Sequence, residues 1–145
     1  MKKMNNKGFS LVELIVVIAI MAVLIGVLAP QFIKYVEKSR QTTDIQNMDT
    51  CVSAVRAYYA DKTWPSGNIT IEKNSSDVWV ATNADTNCLA DSGCADSKVK
   101  GKWSTTNPPK ATISSTGTVT YQGESDYYKV ENNQFVGKTT TTKTE

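Results

Sequence analysis

The chain has 145 residues, with 16 Lys and Arg against 14 Asp and Glu, a formal net charge of +2 and no histidine. Lys2, Lys3 and Lys7 precede a long apolar run, and without them the balance is 13 basic to 14 acidic residues, too even for a nucleic-acid footprint. The missing histidine removes the commonest general base and a common zinc ligand together, so neither a catalytic centre nor a zinc site is expected.

Between Phe9 and Ile33 only Ser10, Glu13 and Gln31 are polar. As a helix this stretch would span roughly 37 Å, enough to cross a hydrocarbon core of about 30 Å. The lysines on its N-terminal side place the N-terminus in the cytoplasm and the rest of the chain outside. A conventional secretory signal fits poorly, because the run exceeds the roughly 7–15 residues of a typical apolar region and contains a carboxylate. Glu13 at membrane depth costs roughly 2.5–3.5 kcal/mol near the bilayer centre, which marks it as a functional residue in need of a partner. No Lys or Arg lies between Lys7 and Lys34. A chain cut after Gly8, however, would begin with the free ammonium of Phe9. That charge lies one helical turn from Glu13, and on a staggered neighbouring subunit it could also come alongside.

The string "KGFSLVELIVVIAIMAVLIGVLAP", residues 7–30, resembles the N-terminal signature of type IV pilins and the related pseudopilins. The likeness covers about the first 60 residues: a basic leader, Gly before and Phe after the scissile bond, a Glu five residues in, and an apolar tail ending in Pro30. It implies an α+β, pilin-like fold in which a long N-terminal helix packs on a small antiparallel β head. It also implies that a membrane aspartic prepilin peptidase removes residues 1–8, cutting between Gly8 and Phe9 and methylating the new amino group of Phe9. Glu13 would then neutralise the terminal ammonium of an adjacent subunit. The implied product is a homopolymeric filament, held in the cytoplasmic membrane by lipid before assembly and extracellular afterwards. An assembly ATPase, a membrane platform protein and minor pilins are its expected partners, and no cofactor is expected. The alternatives are a pseudopilin of a type II secretion or competence DNA-uptake system, and a membrane-anchored extracytoplasmic binding domain that never polymerises. Pilins often carry a glycine near the position of Ala22; here Gly26 and Pro30 form the helix-weakening pair, and Ala22, Gly26 and Ala29 supply small residues for close helix approach.

Residues 34–64 continue as an amphipathic helix. Ile45, Met48, Val52, Val55 and Tyr59 recur at spacings of 3, 4, 3 and 4, while Gln41, Asp44, Gln46, Asp49, Ser53 and Arg56 read as the solvent face. "WPSG" at 64–67 stops the helix. Residues 65–138 read as a β head with strands at 68–73, 77–82, 98–103, 111–116, 118–122, 127–131 and 134–138. Hairpin signals stand at Gly117 and Asn132–Asn133. Residues 139–145 read as a disordered tail.

Cys88 and Cys94 flank a short loop and are the expected disulfide, which leaves Cys51 as a buried thiol; Cys51 bonded to either of them is the alternative. Asp85, Asn87, Asp91 and Asp96 in that loop are weak oxygen ligands for Ca²⁺ without a matching EF-hand spacing, so no metal is expected. Lys98, Lys100 and Lys102 alternate beside Trp103, a pattern that suits phosphates with a stacked base but more often guards a strand edge, so nucleic acid is not an expected partner.

Overall fold

A helix, α1, runs from Leu11 to Tyr58 with Pro30 inside it. The computed structural model describes residues 9–90, 94 and 97–139, so the leader 1–8, Asp91, Asp96 and the tail from residue 140 lie outside the described residues. The chain divides into two compact units, Met1–Val36 and Glu37–Glu145. With antiparallel β-strands following α1, the architecture is the expected α+β one.

In the first unit Ser10 caps the helix. Its Oγ accepts the Val12 N–H at 3.3 Å, and Glu13 Oε2 accepts the Ser10 N–H at 2.9 Å. This is a capping box, Ser-x-x-Glu, in which two otherwise orphaned donors are satisfied reciprocally. Further along, Pro30 has no N–H to give the carbonyl of Gly26 one turn back, and the helix runs on through the pair.

The second unit contains the remainder of α1 and six strands: β1 (Ile69–Lys73), β2 (Trp79–Thr82), β3 (Lys110–Ile113), β4 (Val119–Gln122), β5 (Tyr128–Glu131) and β6 (Gln134–Gly137). The first four form one antiparallel sheet in the order β2-β1-β3-β4, and β5 and β6 form a separate hairpin. Both anticipated turns are present. Gly117 takes φ +81° between β3 and β4, and Asn132 and Asn133 both take positive φ, which gives β5–β6 the twist of a type I′ hairpin. Asn133 then reaches across to the edge of the larger sheet. Its Oδ1 accepts the Tyr121 N–H at 2.7 Å and its Nδ2 donates to the Val119 carbonyl at 2.6 Å. The side chain thus occupies backbone groups that edge strand β4 would otherwise leave open.

The core lies between α1 and the larger sheet. Met48, Cys51, Val52 and Val55 from α1 join Ile69 and Ile71 of β1, Trp79 of β2, and Ala111 and Ile113 of β3. The register Ile69↔Ile113 and Ile71↔Ala111 sets these side chains on one face. Full burial of each isoleucine contributes about 1.5–3 kcal/mol relative to exposure. Trp79 is fully enclosed, and its Nε1–H has no hydrogen-bond partner among the described residues.

Four expectations need correction. The helix ends at Tyr58 rather than continuing to residue 64. Gln41 and Asp44 are buried rather than solvent-facing. Residues 98–103 form no strand, only a single bridge between Val78 and Lys98, because backbone groups of Lys100, Gly101 and Lys102 are taken up by side chains of α1.

The disulfide joins Cys51 to Cys94, with Cα atoms 5.6 Å apart, and Cys88 is the buried free thiol. Cys51 lies on the inward stripe of α1 with no exposed surface, so it meets Cys94 where the connection after β2 folds back over the helix. Burial pushes the Cys88 thiol above its ordinary value, with the Asp85 charge adding to the effect. Non-reducing peptide mapping should therefore recover a Cys51–Cys94 crosslink. Cys88 should resist maleimide until the protein is denatured, and reduction should lower stability by about 3 kcal/mol. A Cys88–Cys94 crosslink in the map would contradict this arrangement.

Candidate functional site

Two constellations stand out, one in each unit. The first is the N-terminal surface. From Phe9 to Tyr35 the large apolar side chains are all at least half exposed, Phe9 the most at 92%. Water does not tolerate an apolar surface of this extent, so it requires lipid or protein around it. The helix is long and apolar enough to cross a membrane by length and composition. Between Phe9 and Ile33 Glu13 is the one charged side chain. The positive end of the helix dipole favours a carboxylate at this first turn, and among the described residues its Oε2 accepts the Ser10 N–H. Ala22, Gly26 and Pro30 lie on the same exposed stretch, and a Cβ added at Gly26 would meet nothing within 4 Å.

The second constellation is a polar seam that fastens residues 98–103 to α1. Asp44, fully buried, accepts the Lys100 N–H at 2.9 Å, the Gly101 N–H at 2.7 Å and the Trp103 Nε1–H at 2.9 Å. Gln41 Nε2 donates to the Lys102 carbonyl at 2.7 Å and to Glu37 Oε1 at 3.0 Å, while its Oε1 accepts the Ser125 hydroxyl at 2.6 Å. Glu37 Oε1 also accepts the Lys102 N–H. The seam supplies partners for consecutive backbone groups that lack a neighbouring strand. Gly101 permits the approach, since a Cβ there would stand 2.5 Å from Gln41 Cγ and 2.8 Å from Asp44 Oδ2. Gly101→Ala should cost about 2 kcal/mol by overpacking, read as an earlier urea midpoint with an unchanged slope. A variant as stable as the parent would mean the seam yields without penalty.

The sequence-derived candidates divide accordingly. Lys98, Lys100 and Lys102 are exposed as their alternation suggests. Trp103, however, is anchored by Asp44 and packs against Phe135 with ring centroids 5.6 Å apart, so it is no open stacking platform. Asp85 Oδ1 accepts the Asn87 N–H at 2.9 Å, and that bond, with the Tyr58 hydroxyl next in weight, holds the carboxyl below its usual range. Among the described residues no three His, Cys, Asp or Glu side chains gather as metal ligands. Outside the seam, Tyr121 donates its hydroxyl to Asp49 at 2.8 Å; burial first and that bond second push its pKa up to about 12.

Residues 3–29 match the Prokaryotic N-terminal methylation motif. The chain is 33% identical over 58 residues to the type IV major pilin protein PilA of Myxococcus xanthus, an alignment covering 40% of this chain and 26% of that one. It is 38% identical over 69 residues to the fimbrial protein EcpC of Eikenella corrodens, covering 47% of this chain and 45% of that one. The N-terminal segment is thus similar to those of type IV pilins and fimbrial proteins. A third pilin relative is the type IV narrow pilus major component PilA5 of Thermus thermophilus, 37% identical over 57 residues, or 39% of this chain and 46% of that one. The chain thus spans between a quarter and a half of the length of these relatives. No solved structure matches it.

Sequence reasoning missed both the capping box and the seam. The first was visible as Ser10-x-x-Glu13. The second left a fainter trace, because positions 41, 44, 48, 52 and 55 follow one helical stripe whatever their polarity.

Proposed function

We propose that the chain is a pilin subunit that polymerises through its apolar N-terminal helix after removal of residues 1–8. A prepilin peptidase cuts between Gly8, which lies outside the described residues, and Phe9, whose new amino group is methylated. Residues 9–33 hold the subunit in the cytoplasmic membrane, N-terminus inside, until an assembly ATPase and a platform protein move it into an extracellular filament with minor pilins. In the filament Glu13 accepts the terminal ammonium of a neighbouring Phe9, while Ala22 and Gly26 admit close helix approach and Pro30 loosens the helix. The single observation that carries this reading is Glu13, a lone carboxylate in the first turn of an otherwise apolar and exposed helical surface. Membrane lipid supports the apolar side chains but leaves the carboxylate without a cation; a second copy of the processed chain supplies both.

Mass spectrometry of the N-terminal peptide tests it, comparing sheared cell-surface material with membranes. Methylated Phe9 abundant in the sheared fraction is the expected result. The same terminus confined to membranes would replace the extended filament with a pseudopilin. An intact Met1 would overturn processing altogether and leave a membrane-anchored domain.

A further inference from the structure

We propose that Asn74, at the tip of the β1–β2 hairpin, is the acceptor for an N-linked glycan. Two Asn-x-Ser/Thr triplets occur in the head, Asn68–Ile69–Thr70 and Asn74–Ser75–Ser76. The fold makes them unequal. Ile69 is fully buried, and Thr70 sits in a strand flanked on both sides, paired with Thr82 of β2 and Thr112 of β3. An enzyme could reach that triplet only by pulling β1 out of the middle of the sheet. Asn74, Ser75 and Ser76 are all exposed in the turn between β1 and β2.

The turn also presents the acceptor atom. Asn74 Oδ1 accepts the N–H of Ser76 at 2.9 Å and of Val78 at 3.0 Å, which fixes the plane of the carboxamide. Both bonds draw density toward Oδ1 and acidify the Nδ2 protons. Nδ2 itself makes no hydrogen bond to any described residue, so its attack breaks no contact among them. Glu72, Asn74 and Ser76 alternate, and drawn out as an extended segment they would present carboxylate, amide and hydroxyl on one side.

The donor is a sugar carried on a polyprenyl diphosphate in the membrane. Nδ2 attacks the anomeric carbon and forms the C–N bond. The bond from that carbon to the diphosphate oxygen breaks, with the electron pair leaving on the diphosphate, and an Nδ2 proton passes to a base on the transferase. No oxidation is involved. The inference rests on the proposed placement of the head outside the cytoplasm.

Trypsin separates the two triplets, placing Asn68 in peptide 63–73 and Asn74 in peptide 74–98. Full-length protein from the envelope of its own cells should carry a sugar mass on peptide 74–98 and none on 63–73. The increment should disappear entirely in N74Q and in S76A and persist in N68Q. S76A retains the backbone N–H that caps Asn74, so its loss of sugar cannot be ascribed to a broken turn. A bare peptide 74–98, or a sugar that survives N74Q on a hydroxyl, overturns the proposal. The N-terminal peptide of the same digest distinguishes the cases: processed Phe9 with bare Asn74 sinks the glycan alone, whereas intact Met1 with bare Asn74 removes the assembly reading as well.

Discussion

Glu13→Ala should leave the subunit inserted in the membrane and empty the sheared fraction of filaments. A charge pair about 4 Å apart at an effective dielectric of about 20 is worth about 4 kcal/mol, so each subunit contact would weaken roughly a thousandfold. Insertion itself becomes easier, because the costly carboxylate is gone. Alanine also removes the acceptor for the Ser10 N–H, a loss of about 1 kcal/mol at the helix start. Glu13→Gln separates the two effects, since the amide oxygen still accepts that N–H but carries no charge. Immunoblots of sheared and membrane fractions report both outcomes. If Glu13→Gln yields filaments at the parental level, the charge is not what joins the subunits, and the proposed role falls.

Asp44→Ala is expected to be the most damaging single change in the head. It strands three donors, the N–H groups of Lys100 and Gly101 and the Trp103 indole, around a carboxylate that is itself fully buried. Hydrogen bonds to a charged group contribute roughly 1.5–3 kcal/mol each and do not add in full, so a loss of about 4 kcal/mol is expected. Domains of this size have about 5–15 kcal/mol in total, so the variant sits near the edge of folding. Asp44→Asn keeps the shape but turns one acceptor into a donor, and an intermediate loss follows. Urea titration of the detergent-solubilised chain, followed by tryptophan fluorescence, measures both. A loss below about 1 kcal/mol for Asp44→Ala would show that residues 98–103 are held by packing alone.

What was legible in the sequence was what the chain carries locally. The apolar run with its single carboxylate, the helical stripe through Met48, Val52 and Val55, and the hairpins at Gly117 and Asn132–Asn133 all rest on backbone preference and periodicity over a few residues. Each of these is present in the fold. The tertiary structure decided what depends on a distant neighbour. Gln41 and Asp44 read as solvent-facing because polar groups normally keep water, yet they are buried, because backbone groups some sixty residues away replace that water. The alternation of Lys98, Lys100 and Lys102 set which side chains face out, but a strand needs a neighbouring ladder, and the helix took those backbone groups instead. Three cysteines allow three pairings, and nearness along the chain favoured Cys88–Cys94. The inward face of α1 selected Cys51–Cys94 over the nearer pair, because a disulfide forms where Cα atoms meet in space, not where they lie close along the chain.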